Sequence, residues 1–145
     1  MIVRVLFLCT GNSARSQMAE GMARAWGGPG LEASSAGSHP AERVHPMAVA
    51  AMQEIGLDIG GNVPMHLERF LGERWDYVIT VCDRARDACP VFPGDAERIH
   101  WGFDDPAAAE GSNEQRMAVF RRVRDEIRNR LRLWLTLPHS RTGVA

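Results

Sequence analysis

Cys9 and Arg15 are separated by five small or polar residues, Thr10, Gly11, Asn12, Ser13 and Ala14, and Ser16 follows. The segment comes directly after the apolar run Ile2-Val3-Arg4-Val5-Leu6-Phe7-Leu8 and before Met18, Met22 and Trp26 at helical spacing. A loop between the end of a strand and the start of a helix points successive backbone N–H groups, and the positive end of the helix dipole, into one small concavity. Such a concavity binds an oxyanion. The Cys9 sulfur is expected beneath the anion, where those dipoles and the Arg15 guanidinium favour thiolate over thiol. Arg15 can curl back and offer a planar fork of donors to two oxygens of a tetrahedral anion. Gly11 and Asn12 tolerate the positive φ that a tight loop demands, and the Ser13 and Ser16 hydroxyls can donate to the sulfur or to the loop. A lone buried cysteine ending a core strand is the plainer alternative. The combination of thiol, arginine and small-residue loop favours the functional reading.

Two further thiols, Cys82 and Cys89, bracket Asp83-Arg84-Ala85-Arg86-Asp87-Ala88. They follow Asp76-Tyr77-Val78-Ile79-Thr80-Val81, a nearly continuous apolar run that reads as a strand covered on both faces. Parallel strands share a C-terminal edge, and ligand sites of open α/β sheets lie outside it, so Cys82 is expected near Cys9. Regular helix would hold Cys82 and Cys89 about 10 Å apart, whereas a disulfide needs Cα atoms roughly 4.4–6.8 Å apart. If the two ever pair, the segment must bend or unwind. Arg84 and Arg86 are expected to make the local field positive and to help a thiolate form at Cys82 or Cys89. The plainer alternatives are two separate buried thiols, or a zinc site with Cys9. Zinc prefers closer ligand pairs with a histidine in register, and none of His39, His45, His66, His100 or His139 supplies that pattern. Farther on, Asp104 and Asp105 precede Pro106. An aspartate before proline is either a turn residue or, beside an anion site, a proton donor.

The elements that must position these groups alternate along the chain. After the first helix, Gly27-Gly28-Pro29-Gly30 is a breaker and 31–37 reads as a second strand, which makes a right-handed parallel crossover. Residues 46–55 form a helix entered by Pro46 and stopped near Gly56; 60–64 is loop, and Leu67, Phe70 and Leu71 mark a short helical turn. Residues 97–101 make a short fourth strand. Ser112 and Gln115 have capping-box spacing before a long final helix, where Met117, Phe120, Val123, Ile127, Leu131 and Trp134 share one face. Its arginine-rich opposite face, with Asp125 and Glu126, reads as solvated surface. The pattern predicts a three-layer α/β domain around a parallel sheet over 1–137, with a tail over 138–145 expected to be frayed.

With 145 residues and 45% apolar content, one domain with a real core is the natural size. A formal net charge of −1 gives no global basic surface for nucleic acid, and every basic side chain other than histidine is arginine. No apolar run is long enough to span a bilayer, and Met1-Ile2-Val3-Arg4 lacks the pattern of a signal peptide, so a cytoplasmic protein with no membrane partner is expected. In a reducing compartment, three cysteines argue for catalytic or redox thiols rather than a disulfide framework.

The Cys9 to Arg15 spacing resembles the phosphate loop of the low-molecular-weight protein tyrosine phosphatases. The longer stretch CTGNSARSQMAEG resembles that of their relatives, the thioredoxin-coupled arsenate reductases. Gln17 stands where the phosphatases commonly carry proline. The segment from Cys82 to Pro93, followed by His100-Trp101-Gly102-Phe103-Asp104-Asp105-Pro106, is also similar to the reductases, and phosphatases of this fold lack the cysteine pair. The resemblance covers roughly residues 2–132. It implies a four-stranded parallel sheet flanked by helices in the phosphatase-like arrangement, with the oxyanion held by residues Thr10 to Ser16. It further implies that Cys9 attacks arsenate, Asp105 acts as general acid, and Cys82 and then Cys89 relay the oxidised pair to thioredoxin as external reductant. No bound cofactor is implied, and phosphate and sulfate would compete as oxyanions. Ala14 stands where many relatives carry another cysteine, and none of the relay roles falls there. Some relatives bind potassium through residues matching Asn12, Glu20 and Ser35 plus an acidic residue; Met65 is at or near that last position, and no metal is assigned here. The competing functions are a tyrosine phosphatase using only Cys9, Arg15 and Asp105, and a non-enzymatic oxyanion sensor.

Overall fold

Strand β1 (Val3–Cys9) is buried at every residue but Arg4, as a strand must be when helices cover both faces of its sheet. In the computed structural model, which describes residues 2–137, it lies inside a four-stranded sheet of order β2-β1-β3-β4. The other strands are β2 (Leu31–Gly37), β3 (Tyr77–Thr80) and β4 (Glu97–His100), and all three pairings are parallel. The expected tail over 138–145 falls outside the described residues.

Helix α1 (Arg15–Trp26) buries Met18, Ala19, Met22 and Ala23 and packs against β1, β2 and the final helix. Helix α2 (Pro46–Gln53) is entered by proline, as expected, but stops two residues short of the predicted end. Residues Leu67–Phe70 make a single 3₁₀ turn. Helix α3 (Asp83–Asp87) is only five residues long and buries only Ala85, so it gains little from packing. Helix α4 (Asn113–Thr136) starts with the predicted capping box: the Ser112 hydroxyl accepts from Gln115 N at 3.1 Å, and Gln115 Oε1 accepts from Ser112 N at 2.8 Å. Phe120, Val123, Ile127 and Leu131 are fully buried on one face, each stabilising the fold by about 1.5–3 kcal/mol.

The arginine-rich face of α4 is not all solvated. Arg124 is buried, donates to the Ala51 carbonyl at 2.9 Å and to Glu54 Oε1 at 2.8 Å, and so ties α4 to the end of α2. Residue 124 falls where α4 crosses α2, and a guanidinium can satisfy a helix-terminal carbonyl there. No helix among the described residues is long and apolar enough to cross a membrane.

Candidate active site

The loop from Cys9 to Arg15 leaves the C-terminal end of β1 and enters α1. Its carbonyls are occupied from behind: Ser38 N donates to Cys9 O at 3.3 Å, His39 N to Thr10 O at 2.9 Å, Ala41 N to Gly11 O at 2.8 Å and His45 N to Ser13 O at 2.8 Å. Turning the carbonyls outward leaves the N–H groups facing inward, which is the geometry an anion needs. A Cβ at Gly37 would collide with the Thr10 carbonyl, so this close approach depends on glycine. Ala14, at the N-cap of α1, supplies no side-chain cap, and the first-turn N–H groups stay available.

Only one of the two residues expected to bend the loop does so. Asn12 takes a positive φ of 49°, while Gly11 does not. The Asn12 side chain explains the choice. Its Nδ2 donates to Ser16 Oγ and Ser35 Oγ, both at 2.9 Å, and its Oδ1 accepts from Gln17 Nε2 at 3.1 Å and Met65 N at 2.8 Å. Every hydrogen-bonding position of the amide is filled, which glycine could not do.

A cavity of about 630 Å³ opens over the loop, lined by Cys9, Thr10, Gly11, Ser13, Ala14 and Arg15 from one side and by Cys82, Asp83, Arg84 and residues 102–105 from the other. Asn12 and Ser16 are wholly buried and do not line it. The Asn12 N–H donates instead to the Cys9 sulfur. Arg15 Nη1 donates to the Phe103 carbonyl at 3.1 Å, Nη2 lies 3.8 Å from Asp105 Oδ2, and buried Nε has no partner in the protein. That orphaned donor suits an incoming oxyanion. Phe103 escaped the sequence reading because a carbonyl belongs to every residue type.

Asp105 is a turn residue that also lines the cavity. Oδ1 accepts from Ala107 N at 3.0 Å and caps a 3₁₀ turn, while Oδ2 faces Arg15. Its neighbour Asp104 turns away to Arg122 at 3.1 Å.

Cys82 lies where the parallel register predicts. Leu8 pairs with Thr80, Val81 N donates to Leu8 O at 2.9 Å, and the next residues bring Cys82 beside Thr10. Cys82 Sγ lies 3.4 Å from Thr10 Oγ1, accepts from Ala85 N at 3.4 Å as the N-cap of α3, and hydrogen-bonds Cys9. The hydroxyl expected from Ser13 or Ser16 is therefore supplied by Thr10, and to Cys82. All three cysteines are free thiols.

The contact between the two sulfurs pushes them in opposite directions. The Cys9 thiol, Thr10, the Ala85 N–H and Arg15 bring Cys82 down to about 5 against the cost of its burial. Cys9 goes up, first because it donates to Cys82 and then because it is buried, with Arg15 and the Asn12 N–H opposing. Arg15 and the loop N–H act on Cys9 in the expected direction, toward thiolate, while its contact with Cys82 and its burial act the other way in the ligand-free protein. Arg84 and Arg86 are not among the leading causes.

The third sulfur faces elsewhere. Cys89 is half-buried, donates to the Pro90 carbonyl at 3.6 Å, and opens into a separate cleft with Arg86, Arg98 and His100. Burial pushes its pKa up, with Arg98 opposing.

The residues implied for potassium do not fit that ion. Asn12 Oδ1 is filled by two N–H donors, Ser35 Oγ donates to Glu20 Oε1 at 2.6 Å, and Glu20 Oε2 is paired with Arg24 at 3.0 Å. Met65 brings only its backbone N–H. No group of three or more histidine, cysteine or acidic side chains able to hold a metal occurs among the described residues.

The family description Low molecular weight phosphotyrosine protein phosphatase matches residues 4–141. An arsenate reductase of Halalkalibacterium halodurans is 51% identical over 128 residues, which are 88% of this chain and 91% of that protein. A solved structure of an arsenate reductase in oxidized state superposes with a TM-score of 0.80 at 32% identity, covering 93% of this chain and 98% of that one. A thioredoxin-dependent arsenate reductase of Corynebacterium glutamicum superposes with a TM-score of 0.61 at 28% identity, covering 91% of this chain and 63% of that one. The chain belongs to the low molecular weight phosphotyrosine protein phosphatase family, on the side of its arsenate reductase relatives.

Proposed function

We propose that the protein reduces arsenate to arsenite by a relay of its three thiols. One observation carries this reading: a second sulfur, that of Cys82, lies 3.4 Å from Thr10 Oγ1 and lines the anion cavity together with the first. Hydrolysis of an ester has no use for it. The curated relatives named arsenate reductases support the substrate, and the thioredoxin-dependent relative supports thioredoxin as the electron donor.

Arsenate enters against the loop N–H groups and the Arg15 fork. Passing the shared proton from Cys9 to Cys82 bares the Cys9 thiolate, which bonds to arsenic while Asp105 protonates the departing oxygen, lost as water. With Cys9 bonded to arsenic, the sulfurs no longer compete for one charge. Thr10 Oγ1, the Ala85 N–H and Arg15 then favour the Cys82 thiolate. Cys82 attacks the Cys9 sulfur; the S–As bond breaks, its electron pair stays on arsenic, and arsenite leaves a Cys9–Cys82 disulfide. Cys89 attacks Cys82, frees Cys9, and carries the oxidised pair to a Cys82–Cys89 disulfide that thioredoxin reduces. Phosphate and sulfate compete for the same donors.

The cavity also holds Cys9, Arg15 and Asp105 as a set sufficient for phosphate ester hydrolysis, so a residual phosphatase activity accompanies the reduction. Cys82→Ser separates the two activities. It is expected to abolish NADPH oxidation coupled through thioredoxin and its reductase in the presence of arsenate, while sparing hydrolysis of an aryl phosphate. Undiminished arsenate turnover in that variant would refute the relay.

A further inference from the structure

Five charged side chains line the anion cavity: Arg15, Asp83, Arg84, Asp104 and Asp105. Four of them face a partner. Asp105 lies 3.8 Å from Arg15, Asp104 binds Arg122 at 3.1 Å, and Asp83 meets the His100 ring at 2.9 Å. The Arg84 guanidinium has no ionic or hydrogen-bonding partner among the described residues, so its donors are free to meet an oxyanion in the cavity. A free cation beside an anion-binding loop raises both the capture rate and the affinity of an oxyanion.

Arg84 also sits on the segment between Cys82 and Cys89. That segment is held by short-range hydrogen bonds, Arg86 N to Cys82 O at 3.2 Å and Ala88 N to Arg84 O at 3.0 Å, and it buries only Ala85. Cys82 and Cys89 open into different clefts, and a disulfide closes only when the Cα atoms are roughly 4.4–6.8 Å apart. Pairing Cys82 with Cys89 has to rearrange these turns, and Arg84 is carried on them.

We propose that Arg84 is an oxyanion-binding side chain of the reduced protein, and that forming the Cys82–Cys89 disulfide withdraws it from the cavity mouth, so that oxidation lowers oxyanion affinity. The role in the reduced protein rests on the cavity alone; the difference between reduced and oxidised forms rests on the relay proposed above. By linkage, an anion that binds the reduced form better makes the disulfide harder to form by the same factor. A tenfold difference in affinity moves the potential of the couple by about 30 mV. Phosphate at high concentration therefore holds the protein reduced, while arsenite, uncharged near neutral pH, is released without regard to Arg84.

Inorganic phosphate is the probe, with binding measured by calorimetry on the whole protein. Reduced Arg84→Gln is expected to bind about tenfold more weakly than reduced wild type at low salt, with the gap closing at high salt, and Arg84→Lys to keep most of the affinity. Oxidised wild type, its Cys82–Cys89 bond verified by peptide mapping, is expected to bind as weakly as reduced Arg84→Gln, and oxidising Arg84→Gln to add little further loss. Equal phosphate affinity in reduced wild type and reduced Arg84→Gln overturns the binding role. A verified disulfide with unchanged affinity overturns the withdrawal. Failure of the disulfide to form refutes the relay, and the withdrawal with it, while the two reduced proteins still decide the binding role.

Discussion

Thr10→Val removes a single hydroxyl from the cavity and should be read at one sulfur. Thr10 Oγ1 lies 3.4 Å from Cys82 Sγ and, after the Cys9 thiol, is the largest of the causes that bring Cys82 down to about 5. A hydrogen bond to a charged group contributes about 1.5–3 kcal/mol, and one pKa unit corresponds to about 1.4 kcal/mol. Losing the hydroxyl should raise Cys82 by about one to two units. The sign follows from the thiolate being the reactive form: reactivity is lost as pH falls through the Cys82 pKa, so the variant fails at a higher pH than wild type. At pH 7 the variant keeps roughly half or more of its thiolate, and a single measurement there barely distinguishes the two. At about pH 6 the thiolate fraction falls by about two- to tenfold. The assay is the rate of iodoacetamide alkylation at Cys82, followed by peptide mass from about pH 4 to 8 in a Cys89→Ser background, with Thr10→Ser as the restoring variant. A midpoint for Thr10→Val that stays at the wild-type position would refute the hydroxyl as a donor to Cys82 and, with it, the shared-proton account of the pair.

Asp105→Asn is expected to slow both arsenate turnover and aryl phosphate hydrolysis by about 10²–10⁴, whereas Asp104→Asn, which breaks only an exposed pair with Arg122, should change kcat/KM by less than about fivefold. Equal losses in the two variants would contradict the assignment of the proton donor. Replacing sodium by potassium at fixed ionic strength should leave both kcat/KM and Tm unchanged, because Arg24 already neutralises Glu20 and Asn12 Oδ1 is saturated by N–H donors. A potassium-dependent rise in either quantity would show that those oxygens can be freed.

What was legible in the sequence is what short-range pattern and parallel-sheet geometry dictate. Leu31–Gly37 appears as predicted, and the Ser112/Gln115 cap starts α4 where its spacing indicates. The approach of Cys82 to Cys9 follows from two strands running the same way and ending at one edge. The rest depends on distances that spacing does not encode. Nothing in Asp83–Asp87 announces that the helix stops after five residues, which turns Cys89 into a different cleft from the other two thiols. Asn12 rather than Gly11 takes the left-handed conformation because four partners converge on its amide, two of them, Ser35 and Met65, from distant parts of the chain. Arg124 reads as a solvated charge until α2 is seen to end against it. The titration of Cys9 is of the same kind: a cysteine beside an arginine reads as a thiolate, and contact with a second sulfur together with burial reverses the direction of its shift.

That reversal bears on how three thiols can be taken in sequence. In thiol exchange, a low pKa makes a better leaving group and a weaker attacker, while a high pKa does the opposite. Cys89, raised by burial, is a strong intrinsic nucleophile once deprotonated, and it opens into a separate cleft outside the cavity that takes the anion. Cys9 is raised first by its contact with Cys82 and then by burial; in a disulfide with Cys82 the first cause is gone, and Arg15 and the Asn12 N–H work against the second to stabilise Cys9 as it departs. Cys82, lowered in its own right by Thr10 and the Ala85 N–H, is the natural leaving group when an external thiolate attacks the final pair. On the proposed relay, the incoming reductant therefore meets Cys89, the sulfur least enclosed by the anion loop, and expels Cys82 back toward the donors that hold its charge. On that relay, reduction needs no change to the anion loop, only three sulfurs in graded surroundings around it.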